Sequence, residues 1–202
     1  MTTTDMLRAR LSGKPGLLGA TCTLASGGYF DFIDPKAETI FIEDIAAGLA
    51  KAARFGGQSR RPTDGPFGCF YSVAQHSILV AEMVEPEHRF AALMHDAAEG
   101  YMGDMVGPLK QLIPDFKVIE HRVEAAVFER FGIATPLHPS IKHADLRALR
   151  TEQRDLSTGR GHNWNGLDEF EPHFATIEPW DPERSFDRFM EAFEKLAPAG
   201  VR

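Results

Sequence analysis

Ala91-Ala92-Leu93-Met94-His95-Asp96-Ala97-Ala98-Glu99 is the stretch on which the reading of this chain turns. An imidazole and a carboxylate stand side by side in an apolar, helix-like run, and a second such run upstream carries a lone His76. Burying either group is costly unless something neutralises it. Together they form the nitrogen and oxygen donor set that divalent metals of intermediate hardness accept. The segment points to metal-assisted hydrolysis carried out among helices.

Working outward, Ser72 is placed to cap a helix through Val73, His76, Val80 and Val84, a spacing that puts His76 on the buried stripe. Pro86 opens a second helix through Phe90, Leu93 and Met94 to His95, with Asp96 and Glu99 three apart and on one face. Nearer the N-terminus, Gly27 to Pro35 and Glu38 to Ile42 read as the two arms of a short hairpin. From Glu43, Ile45, Leu49, Ala52 and Ala53 recur at helical steps, and Phe55-Gly56-Gly57 stops the run, leaving Arg54 at a helix C-terminus. Gln58 to Cys69 is a loop rich in Pro and Gly.

Beyond the central stretch, Gly100, Gly103, Gly107 and Pro108 break regularity. Helices are expected from about Lys117 to Phe131, stopped by Gly132, and from Ser140 to about Leu156. In the second of these Ile141, Asp145, Leu149 and Glu152 recur at three- and four-residue steps, so Asp145 shares a face with apolar neighbours. Ser157 to Phe174 reads as a long surface loop, in which Trp164 is a loop anchor or a cover for a ligand. Asp181-Pro182 caps a final helix with Phe186, Phe189, Phe193 and Leu196 on one side. The expected fold is all-α and compact with a short N-terminal β-hairpin, one domain over 1–202 with its core at about 29–156 and a C-terminal loop and helix at 157–197.

The 202 residues suffice for one globular domain with a substantial core. A net charge of -7 argues against charge-driven binding to DNA, RNA or an anionic membrane, and favours a small-molecule substrate. Only Cys22 and Cys69 occur, too few and too far apart for a disulfide framework or a zinc ribbon. With no signal-peptide core after Arg8 and Arg10, and no apolar run of membrane-spanning length, the expected location is the cytoplasm. Self-association into a homo-oligomer is left open.

A mononuclear metal site needs several protein ligands and open positions. His76, His95 and Asp96 supply three, and Asp145, a carboxylate on the apolar side of a helix in His143-Ala144-Asp145-Leu146-Arg147, is the best fourth. Ordered His, His-Asp, Asp, this set resembles the HD-domain metal-dependent phosphohydrolases. Ile42-Glu43-Asp44-Ile45-Ala46, Arg54-Phe55-Gly56-Gly57, Tyr71-Ser72-Val73-Ala74-Gln75-His76-Ser77 and His95-Asp96-Ala97-Ala98-Glu99 are similar to the branch that includes 5'-deoxynucleotidases and phage-type dATP triphosphohydrolases. The resemblance runs from about Tyr29 to Leu156.

It implies a nucleotide phosphohydrolase acting on 2'-deoxynucleoside 5'-mono- or triphosphates through attack of a metal-activated water on phosphorus. His76, His95, Asp96 and Asp145 would bind one divalent ion (Mn, Co, Mg or Zn), with Glu99 as general acid or base and Asp104 in the catalytic centre. Arg54 and Lys110 would clamp phosphate. Phe55 would stack on sugar or base, and Gly57 and Gln58 would allow close approach to a purine edge. A guanosine-alarmone hydrolase and a non-catalytic nucleotide-binding module remain as alternatives. A di-iron oxygenase ranks below them, because no second histidine set stands out near His95-Asp96.

Overall fold

The computed structural model describes residues 20–158, 164 and 166–201 of the chain. They are mostly helical, with one small antiparallel sheet at the N-terminal end. Strand β1 (Thr21–Thr23) pairs with β2 (Tyr29–Asp31) in the register Thr21 to Asp31, Cys22 to Phe30 and Thr23 to Tyr29. A hairpin is present, but the partner of the Tyr29 strand lies upstream of it. The expected downstream arm is instead a 3-10 turn over Ala37–Thr39, leading into the first helix. The Asp31 carboxylate accepts from the Ile33 and Asp34 amides at 2.7 and 3.2 Å, closing the strand in a local turn just before Pro35.

Helix α1 (Ile42–Lys51) buries Ile42, Ile45, Ala46, Leu49 and Ala50. It ends earlier than the glycine pair suggested, and Arg54 is not on its terminal turn. Ala52 and Ala53 are extended and pair with the chain at Ser72, through Val73 N–H to Ala52 O at 3.0 Å and Arg54 N–H to Tyr71 O at 2.9 Å. Arg54–Gly57 then forms a separate 3-10 turn with left-handed backbone at Phe55 (φ 56°) and Gly56 (φ 61°). The bridge to Ser72 outweighs local helix continuation and delivers Arg54 inward, where it is 9% exposed.

Helix α2 (Val73–Glu82) is capped as expected, with Ser72 Oγ accepting from the Gln75 amide at 3.1 Å. The next expected helix is divided. Pro86–His88 is a 3-10 turn, α3 spans Arg89–Leu93, Met94 to Ala98 form consecutive turns, and α4 is Glu99–Met102. Through this junction the bonds run three residues back, Ala97 N–H to Met94 O at 3.0 Å and Glu99 N–H to Asp96 O at 2.9 Å. Such tightening separates side chains differently from an α-helix.

The glycine-broken segment also contains a short helix, α5 (Gly107–Leu112), with proline in its first turn. Helix α6 (Pro114–Phe131) stops at a left-handed Gly132, and α7 (Pro139–Leu156) carries Asp145 and Glu152. Helix α8 (Pro182–Leu196) has Asp181 as N-cap, its carboxylate accepting from the Arg184 amide at 2.8 Å. The 157–174 loop lies partly outside the described residues; its described part includes a 3-10 turn at Leu167–Glu169.

The main buried cluster runs from Phe30 through α1, α2 and α3 to Phe189 and Phe193 of α8. Helix α1 packs against α4 and α8, and α2 against α3, α7 and α8. The α1–α4 contact is unusually close: a Cβ on Gly48 would collide with the carbonyl of Gly100, and one on Gly100 would stand 2.9 Å from Ile45 O. The hairpin is clasped to α1 by Ser26, whose N–H and hydroxyl each donate to the buried Asp44 carboxylate at 2.8 Å. Phe30 stacks on Tyr101 of α4 with centroids 4.0 Å apart. Glu99, at the head of α4, is thus held from behind by packed backbone.

Candidate functional site

His76 comes from α2, His95 and Asp96 from the turns after α3, and Asp145 from α7, and the three elements converge. His76 is fully buried. Its Nε2 stands 3.3 Å from Asp145 Oδ1 and 3.5 Å from Asp96 Oδ2, and His95 Nε2 is 3.2 Å from Asp96 Oδ2. The other nitrogen of each ring is engaged: His95 Nδ1 lies 2.8 Å from Ala92 O, and His76 Nδ1 lies 2.6 Å from Glu152 Oε1. Both Nε2 atoms are buried without a hydrogen-bond partner.

Two orphaned imidazole nitrogens facing carboxylates suit a divalent ion. His76, His95 and Asp145 each offer a ligand atom within 4.8 Å of the others. Donors held about 2.1 Å from a tetrahedral ion stand roughly 3.4 Å apart, close to the spacings that Asp96 and Asp145 keep from the rings. Three of the four expected ligands thus form one group that could hold an ion, and Asp96 stands beside its two rings without belonging to it. Charge sharing holds both carboxylates ionised. Burial would raise Asp96 and Asp145, but His95 and His76 outweigh it and hold both below the usual carboxylate range. Burial and Arg54 would depress His76, yet Glu152 and Asp145 push it up to about 10.

Glu99 behaves oppositely. It is 8% exposed, and one of its oxygens has no partner. Burial first, then the negative charges of Asp96 and Asp104, raise it well above the ordinary carboxylate value, toward its protonated form. Asp104 is also raised, by burial and then Asp96, although Arg54 opposes this.

These groups open on a cavity of about 770 Å³. Arg54 enters it with Nη2 bonded to Glu152 Oε2 at 3.0 Å and Nη1 3.8 and 3.9 Å from Asp96 and Asp104. Lys110 also lines it, donating to Glu120 Oε1 at 2.6 Å and standing 3.8 Å from Glu99 Oε1. Phe55 forms part of the wall with Trp164, ring centroids 5.6 Å apart. Gly57 and Gln58, expected at the same place, are exposed and outside the cavity lining. The left-handed turn through Phe55, Gly56 and Gly57 carries the chain away after the aromatic ring has been placed.

Three contributors escaped the sequence reading. Glu120 pairs with Lys110, and Lys142 reaches the cavity while donating to Asp145 Oδ2 at 2.7 Å. Glu152, fully buried, joins His76 to Arg54. Its signal was present: it lies seven residues after Asp145 on the same helical stripe, a carboxylate where apolar residues belong.

Fold and site define a mostly helical protein with a histidine–carboxylate group that could hold a metal ion and whose carboxylate side borders a cavity. No protein-family model matches the chain. It is 36% identical over 173 residues to the uncharacterized protein YfdR of Escherichia coli (strain K12), covering 85% of this chain and 93% of that protein. It is also 39% identical over 146 residues to an uncharacterized protein of Rhodobacter capsulatus, covering 66% of this chain and 71% of the other. The chain belongs to the family of YfdR. None of its described helices is long and apolar enough to cross a membrane.

Proposed function

We propose that the protein is a metal-dependent phosphohydrolase of nucleotides, acting on 2'-deoxynucleoside 5'-mono- or triphosphates in the cytoplasm. One juxtaposition carries the reading: the carboxylates Asp96 and Asp145 of the candidate metal group, the protonation-prone Glu99 and the cations Arg54 and Lys110 border one cavity, with His76 and His95 directly behind the two carboxylates. A divalent ion held by His76, His95, Asp96 and Asp145 would supply Lewis acidity and a water of lowered pKa.

The chain's own residues account for the rest. Arg54 presents a planar guanidinium suited to two phosphoryl oxygens, and Lys110 adds a point charge beside Glu99. A protonated Glu99 serves as the acid that delivers a proton from its carboxyl oxygen to the leaving oxygen. Phe55 and Trp164 offer ring faces to a base or sugar. Two unpaired cysteines, Cys22 and Cys69, suit a reducing compartment.

The test is a panel of deoxy- and ribonucleoside mono- and triphosphates with Mn, Co, Mg or Zn, reading released phosphate, nucleoside and triphosphate. Turnover of nucleotides only with metal present is the expected result. Metal and nucleotide binding without turnover on any substrate would leave a binding module and remove the enzyme reading.

A further inference from the structure

Glu152 is 0% exposed and makes two different contacts with its two oxygens, Oε1 to His76 Nδ1 at 2.6 Å and Oε2 to Arg54 Nη2 at 3.0 Å. His76 is a candidate metal ligand, and Arg54 a candidate phosphate clamp. We infer that Glu152 is a positioning residue that sets both at once, so that the metal-holding and phosphate-holding halves of the site share one carboxylate. The inference rests on the phosphohydrolase reading above and adds to it a residue outside the ligand set.

A neutral imidazole has one N–H and one lone pair. When Nδ1–H donates to Glu152, the lone pair lies on Nε2, the atom facing Asp96 and Asp145. Guanidinium nitrogens only donate. Both partners of residue 152 are therefore donors, and only an ionised carboxylate satisfies both.

An amide at 152 fails on one side or the other. With its oxygen on Arg54, its NH2 faces His76 Nδ1, which must then accept; the ring proton moves to Nε2 and occupies the lone pair a metal needs. With its oxygen on His76, its NH2 opposes a buried guanidinium. Arg54 then loses its strongest counter-charge, in a place where unpaired charge is costly, so the arrangement with the oxygen on Arg54 and the ring proton on Nε2 prevails.

The experiment measures metal affinity by calorimetric titration of the full chain with Mn²⁺ or Zn²⁺ alone, without substrate. Wild type is expected to bind metal, and Glu152→Gln to bind roughly 10- to 100-fold more weakly, the loss seen when the orienting partner of a metal-bound histidine is removed. Arg54→Met should bind metal no more weakly than wild type. In Glu152→Gln/Arg54→Met the amide oxygen is free to accept Nδ1–H, so affinity should recover toward wild type, which a merely structural role for Glu152 would not produce. Nitrogen NMR of the His76 ring in metal-loaded wild type supplies a test without any variant: Nδ1 should carry the proton and Nε2 the metal. Unaltered affinity in Glu152→Gln, no recovery in the double variant, or a metal on Nδ1 would overturn the inference while leaving the metal site standing. Failure of wild type to bind metal would instead remove the phosphohydrolase reading, and this inference with it.

Discussion

Gly48 of α1 and Gly100 of α4 meet backbone to backbone, with no space for a side chain between them. Glu99 is the neighbour of Gly100, so this contact fixes how far the carboxylate projects toward the cavity. Gly48→Ala should therefore destabilise the fold by about 1–3 kcal/mol, the usual cost of overpacking a filled core. It should also lower activity beyond what the stability loss explains. Urea unfolding and turnover measured on the same preparation check this; an unchanged midpoint would mean that the two helices part without cost.

Glu99→Gln preserves shape but removes the acidic proton. Activity should fall by roughly 10²- to 10⁴-fold, the range typical of a lost general acid. Metal content should stay at the wild-type level, because Glu99 is outside the His76, His95 and Asp145 group. Metal analysis beside the rate separates the two roles, and loss of metal from this variant would place Glu99 among the ligands.

The metal-free protein should lose stability as pH rises. His76 has a folded-state pKa near 10 against an ordinary 6.5, so its contribution is fully present below about 6.5 and is lost as pH climbs through 10. His95 and Glu99 are also raised and act in the same direction. Denaturant midpoints from pH 6 to 10 should fall in metal-free wild type and fall less in His76→Gln. Apparent metal affinity should rise over the same interval, since binding through Nε2 displaces a proton.

Phe55 holds a left-handed backbone, φ 56°, that a side chain adopts only with strain. Replacing it by glycine and by alanine gives matched losses of the ring. Glycine, ordinarily the less stable of the two, should here be the more stable by about 1 kcal/mol. Both variants should raise KM more than they lower kcat if the ring serves binding. Equal stability of the pair would show that the backbone relaxes once the ring is gone.

Local chemistry made much of the fold legible. Gly132 ends α6 and Asp181 starts α8 through bonds to nearby backbone, which needs no knowledge of the rest of the chain. Ser72 does the same for α2. The division of the His95-Asp96 stretch was not legible, because apolar spacing alone does not distinguish bonds reaching three residues back from those reaching four. Nor was the end of α1, which depends on a bridge to Ser72 rather than on the glycines. The ligand set was visible as an ordered pattern, whereas Glu152 showed only its face. Its partners lie 76 and 98 residues away in the chain, and periodicity names no partner.

Lys142 is 71% exposed, yet its ammonium is tied to the Asp145 carboxylate. The two oxygens of that carboxylate face different partners, Oδ2 the lysine at 2.7 Å and Oδ1 His76 Nε2 at 3.3 Å, so an ion taken up on Oδ1 would leave the tether in place. An exposed lysine thus fixes the rotation of a carboxylate whose other oxygen faces a buried ring, so that the rim and the histidines share one side chain.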